Sequence, residues 1–139
     1  MIQKFESLTV ETRGPGLYAF TGPAQHFARG AEIEDGLLTC FLRHTSASLL
    51  IQENADRDVL ADLEDFMRRL VTRDPKTYRH NAEGTDDMPS HIRAALTATS
   101  LSIPVRGREL ALGTWQGLYV FEHRDAPHRR EVLLHLMGA

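Results

Sequence analysis

The sequence predicts an α+β domain built on a mostly antiparallel β-sheet or sandwich. Segments of alternating or β-rich residues outnumber the helical ones and bracket them, as expected when helices pack on an antiparallel sheet. Ala55 to Val71 carries the stripe of an amphipathic helix, and Leu101 to Leu112 carries a hairpin turn.

In chain order, Ile2 to Thr12 alternates as a strand and ends at the turn Arg13-Gly14-Pro15-Gly16, with Leu17 to Phe20 as a short continuation. Thr21-Gly22-Pro23 offers a hydroxyl cap and an early proline for a helix running to about Glu34 and stopped by Asp35-Gly36. Leu37 to Arg43 reads as a strand with Leu38, Cys40, Leu42 and His44 on its more apolar side. Ser48 to Gln52 is a second, short strand. Asn54 can cap the helix that follows, in which Val59, Leu60, Leu63, Phe66, Met67, Leu70 and Val71 recur at offsets of three and four. Its charged members, among them Asp58, Asp62, Arg68 and Arg69, are the expected solvated face. Asp87 can cap a further helix with Pro89 in its first turn. Leu101 to Val105 and Glu109 to Leu112 form the hairpin about Gly107, and Leu118 to Glu122 and Glu131 to Met137 supply two more strands.

The chain has 139 residues, which fits a single domain over 1–139 able to bury a real core. Its formal charge of −3, with no basic block, speaks against nucleic acid or an anionic membrane as partner. The lone Cys40 has no disulfide partner within the chain and sits in an apolar strand, so it reads as a buried thiol. The N-terminus lacks the apolar core of a signal peptide and no window approaches ~18 uninterrupted apolar residues, so a cytoplasmic protein is expected.

Seven histidines are many for this length, and His44, His80 and His91 stand in the polar segments least like core. Three imidazoles with a coordination position left open suit catalytic zinc, whereas magnesium prefers oxygen ligands. His91 near a helix start would be kept neutral by the helix dipole and ready for a metal. Gly113-Thr114-Trp115-Gln116-Gly117 is the second unusual segment, placing the only tryptophan among small residues between two strands. There it can plug a core or subunit contact, or let the backbone approach a ligand.

Five motifs in order resemble the YjbQ-type proteins, also called the secondary thiamine-phosphate synthase family. They are His44-Thr45-Ser46-Ala47, Gln52-Glu53-Asn54-Ala55-Asp56, Tyr78-Arg79-His80-Asn81, Met88-Pro89-Ser90-His91-Ile92 and Leu112-Gly113-Thr114-Trp115-Gln116-Gly117. The resemblance covers almost the whole chain. It implies a homotrimer of small α+β subunits with a polar cleft holding a metal and an anion near His44, His80 and His91. It also matches Thr45, Ser46, Asn54, Asp56, Thr114, Gln116 and Glu122 to the family's recurrent polar positions. Many relatives carry an acidic residue shortly before the third histidine, where Pro89 or Ser90 stands here. They also carry a Gly-Pro-Arg turn where this chain has Ala126-Pro127-His128, leaving Arg129 or Arg130 to contact an anion.

The resemblance implies that the chain joins a hydroxymethylpyrimidine pyrophosphate to a thiazole phosphate, releasing pyrophosphate. In that scheme a divalent metal, zinc foremost with manganese or magnesium as alternatives, acts as Lewis acid. Thr45, Ser46, Asn54, Thr114 and Arg129 seat phosphate oxygens, with Gln116 among the catalytic polar groups. Two rival expectations use the same residues. One is metal-assisted hydrolysis of a small phosphorylated substrate with Glu122 or Asp56 as base. The other is a non-catalytic trimer that binds a metal or an anionic metabolite.

Overall fold

The computed structural model describes residues 1–139 and has two antiparallel sheets and three α-helices. The larger sheet has the strand order β1 (Ile2–Thr12), β8 (His128–Gly138), β3 (Gly36–Leu42), β5 (Ser100–Arg106) and β6 (Glu109–Leu110). The smaller has β2 (Gly16–Ala19), β7 (Gln116–Glu122) and β4 (Ala47–Glu53). The first and last strands pair along their full lengths, from Ile2 opposite Gly138 to Thr12 opposite His128.

Alternation decides which face is buried. Leu38, Cys40 and Leu42 of β3 and Val132, Leu134 and Leu136 of β8 are sealed in a core shared with Leu49 of β4 and Leu118 and Val120 of β7. The two sheets therefore face each other, and α1 (Thr21–Gly30) closes the core with Ala24 and Ala28. Cys40 is fully buried, which pushes its thiol up to about 12, so it is an inert core residue. Gly36 and Gly138 pair across β3 and β8. A Cβ at Gly36 would stand 2.3 Å from the Met137 carbonyl oxygen, and one at Gly138 would stand 2.1 Å from that of Asp35, so only glycine fits.

The hairpin β5–β6 turns through Gly107 and Arg108, both at positive φ, with Arg106 paired to Glu109. That is the two-residue turn whose twist matches antiparallel strands. β6 stops at Leu110, short of the expected Leu112, while β8 begins at His128, three residues before the expected start.

Three helix starts differ from the sequence expectation. α1 is preceded by Phe20, because the Thr21 hydroxyl accepts the Leu118 N–H of β7 at 2.8 Å, and it ends at Gly30 instead of Glu34. α2 (Arg57–Leu70) is capped by Asp56, whose carboxylate accepts the Asp58 N–H at 2.9 Å, while Asn54 is held by the Trp115 carbonyl before the helix begins. α3 (Asp87–Leu96) has Asp86 at its N-cap position and Asp87 inside the first turn, with its side chain turned to other work. No helix is long and apolar enough to cross a membrane.

Candidate metal centre and adjoining cavity

Asp87 and His91 lie one turn apart on α3 and so share a face of the helix. His80 reaches them from the loop after the 3₁₀ turn Pro75–Thr77, where Asn81 Nδ2 donates to the Tyr78 carbonyl and the Tyr78 hydroxyl donates to that of Thr72. His80 Nε2 is 2.5 Å from Asp87 Oδ2, and His91 Nε2 is 3.3 Å from the same oxygen. The three potential ligand atoms all lie within 4.8 Å of one another.

Hydrogen bonds fix how these groups are oriented. His91 Nδ1 sits 2.8 Å from the Thr45 carbonyl, which can only accept, so Nδ1 carries a proton and Nε2 is the nitrogen turned toward Asp87. Burial would raise the Asp87 carboxyl, but the hydrogen bond with His80 and the charges of His91 and Arg124 outweigh it and hold the group below its ordinary value. Arg124 donates from Nη1 to Asp87 Oδ1 at 2.6 Å and from Nε to Asp86 Oδ2 at 2.9 Å, which locks the carboxylate in place.

His44 stands outside this group. Its Nε2 accepts the Glu131 N–H at 2.7 Å, which leaves the proton on Nδ1, and burial together with the charge of Arg130 pushes its pKa down. It lines a cavity of about 310 Å³ with Thr45, Ala47, His91, Ala94, Ala95 and Thr99, so His44 and His91 share a wall. The three-histidine set expected from the sequence thus becomes two histidines and a carboxylate. Pro89 and Ser90 stand where many relatives are expected to carry an acidic residue, and the carboxylate beside His91 comes instead from Asp87, one helical turn back. The spacing Asp87-x-x-x-His91 was its signal.

The remaining candidates separate into two groups. Glu122 is fully buried and accepts bonds from the Thr12 hydroxyl, the Arg130 guanidinium and the backbone N–H groups of His123 and Arg124. Burial alone would raise its carboxyl, but Arg130 and Thr12 hold it low, so it is a sealed structural anion and not a base. Arg130 also donates to Ser46 Oγ at 3.0 Å, so its guanidinium is committed within the protein, and Ser46 is buried against it. Arg129 is exposed beside Glu11, and with His128 it lines a separate open cavity of about 470 Å³.

The second group, Asn54, Asp56, Thr114 and Gln116, stands at the other end of the β4–β7 pair. Glu53 is opposite Gln116 there, whereas Ala47 is opposite Glu122 at the histidine end. Six residues of strand separate the ends by ~20 Å. Gln116 Oε1 accepts the Gly113 N–H at 2.7 Å, Asp56 caps α2, and Thr114 and Trp115 are exposed.

A family model described as UPF0047 protein YjbQ-like matches residues 6–139. The chain belongs to the YjbQ family. It is 52% identical over 136 residues to a UPF0047 protein of Synechocystis sp., covering 98% of this chain and 92% of that one. It is 39% identical to the YjbQ protein of Escherichia coli, covering 96% of each. Among solved structures, a hypothetical protein of Aeropyrum pernix superposes with a TM-score of 0.87 at 29% identity, covering 98% of this chain and 99% of that one. A conserved hypothetical protein of Thermus thermophilus does so at 0.85 and 30% identity, covering 95% and 99%.

Proposed function

We propose that this YjbQ-family chain is a metal-dependent enzyme acting on a small phosphorylated molecule, with His80, Asp87 and His91 holding the metal. The supporting observation is the contact between His91 Nε2 and Asp87 Oδ2. With Nδ1 committed to the Thr45 carbonyl, Nε2 is the nitrogen that faces the carboxylate, at 3.3 Å, and a cation between them, like a proton on Nε2, would bridge the two. Two imidazoles and a carboxylate, with positions left open, suit zinc better than magnesium, with manganese as the alternative. Such an ion would supply Lewis-acid stabilisation of phosphate charge.

The chain's own groups fit that role. His44 can donate from Nδ1, and the Thr45 side chain lies on the same cavity wall, so both would orient phosphate oxygens. Arg124 keeps Asp87 ionised and fixed. The sealed state of Glu122 and the capping role of Asp56 leave the hydrolytic reading without its bases. A reaction driven by stabilising a departing pyrophosphate needs none, so formation of thiamine phosphate from its pyrimidine and thiazole precursors is favoured.

The assembly we propose is a homotrimer. Phe5, Leu37, Phe41 and Met137 leave an apolar stripe exposed on the outer face of the larger sheet, the kind of surface a second subunit covers. Within one chain the Asn54–Gln116 group is too distant to join the histidines, and a neighbouring subunit could supply it.

Elemental analysis of the purified chain tests the metal site. Wild type should carry stoichiometric zinc or manganese, His80→Ala and Asp87→Asn should lose it, and His44→Ala should keep it while losing turnover. Absence of metal in wild type, or full retention in His80→Ala, overturns the site. No thiamine phosphate from the two precursors with any of these ions overturns the reaction.

A further inference from the structure

A different cavity, of about 240 Å³, opens between the end of α2, the far face of α3 and the loop after β7, and Pro15, Arg68, Arg73, Arg93 and Asp125 line it. Three guanidinium groups around one small space repel one another, and Asp125 is the only carboxylate on the wall. Arg73 grips it with both terminal nitrogens, at 3.2 and 2.8 Å, and reaches the Thr85 hydroxyl as well.

Arg93 is the unusual member. It is 6% exposed, and it spends Nε and Nη2 on the Met67 and Val71 carbonyls at the C-terminal end of α2, which fixes the plane of the group. Its Nη1 makes no hydrogen bond to the protein, and Arg93 lines the cavity. Burial pushes the Arg93 pKa down, Glu64 opposes this, and the charges of Arg73 and Arg68 add to it. Arg68 gives Nη2 to Glu64 at 3.0 Å and keeps its other nitrogens available.

We propose that this cavity is an oxyanion site, separate from the histidine centre, that takes a phosphate group, either inorganic phosphate or the phosphate of a small metabolite. Preset guanidinium donors match the tetrahedral oxygens of phosphate, and the volume admits one such group. Asp125 occupies Arg73 when the site is empty and is the internal competitor of the ligand. Its N–H also donates to Asp86 Oδ2, the oxygen that Arg124 Nε reaches.

The test is titration of the purified full chain with inorganic phosphate at constant ionic strength, followed by calorimetry and by thermal stability, with chloride as control. Saturable binding is expected. Arg68→Gln should weaken it about tenfold, and Asp125→Asn should tighten it severalfold by removing the competitor, an effect that a merely structural Asp125 would not produce. His91→Ala should leave this binding in place, and methyl phosphate in place of inorganic phosphate reports whether a phosphomonoester fits. No saturable binding, binding unchanged in Arg68→Gln, weaker binding in Asp125→Asn, or loss of all binding in His91→Ala would each overturn the proposal. The site does not depend on the metal, so it can stand or fall independently of the proposed enzyme.

Discussion

Replacing Arg130 with Met tests what the buried ion pair contributes. Glu122 is 0% exposed and Arg130 3%, with Nε 2.8 Å from Oε1 and Nη2 2.5 Å from Oε2. Removing one partner of such a pair costs about 3–5 kcal/mol, because a charge is left buried without its counterion. Glu122 would keep the Thr12 hydroxyl and two backbone N–H groups, which places the cost near the lower end, ~3 kcal/mol. For a chain of this length 1 kcal/mol moves Tm by about 3 °C, so thermal unfolding at pH 7 should fall by about 10 °C. The pH dependence adds a sign. In wild type the folded Glu122 lies below its unfolded value, so its stabilisation is present above pH ~4.3 and is lost as pH falls through the lower folded pKa. Without Arg130 the carboxyl rises and takes up a proton, so the gap between variant and wild type should narrow on acidification. A fall in Tm under ~3 °C, or a gap that is constant from pH 7 to pH 4, would refute the reasoning.

Two further outcomes follow from the same interior. His123 is 1% exposed and pushed down to about 4 by burial, so the folded chain keeps it neutral while the unfolded chain protonates it near pH 6.5. Stability should therefore drop by about 3 kcal/mol as pH falls from 6.5 to 4, measured by urea titration, and His123→Gln should flatten that interval; an equal slope in the variant would count against it. Gly36→Ala should cost ~3 kcal/mol, because its Cβ would meet backbone at 2.3 Å and the strands cannot yield without breaking the β3–β8 ladder. An unchanged denaturation midpoint would show that the ladder gives way cheaply.

The strands were visible in the sequence because their core face repeats every second residue: Leu38, Cys40 and Leu42 announce both the strand and its buried side. The α2 stripe was equally plain, although Phe66 and Leu70 remain more than half exposed, so the stripe marks the helix better than it marks what the core covers. The caps were misassigned because Asn, Asp and Thr side chains serve many backbone partners, and tertiary contacts choose among them. Thr21 serves β7 instead of its own helix, and Asp87 serves two histidines and an arginine. His44 failed to join His80 and His91 for a related reason. A histidine at a strand end meets the backbone of the adjacent strand, here Glu131, and sequence spacing does not show which nitrogen is already committed. Arg68 is exposed, as its place on the solvated face predicts, and it also lines a cavity that forms where Arg93 of α3 reaches the carbonyls at the end of α2.

The buried pair and the histidine centre are one connected structure. Glu122 accepts the N–H of Arg124, and the side chain of that arginine holds Asp87 in place for His80 and His91. Arg130 meanwhile donates to the Ser46 carbonyl, next to Thr45, whose own carbonyl sets the tautomer of His91. The core ion pair therefore anchors both sides of the site, the segment that orients the carboxylate and the segment that orients the imidazole. A protein that needed only to fold could replace the pair with apolar residues at little cost. Retaining it makes sense where two backbone segments from different strands must be held in fixed register around a ligand. Arg130→Met should accordingly weaken retention of the proposed metal as well as stability, although Arg130 is not among its proposed ligands.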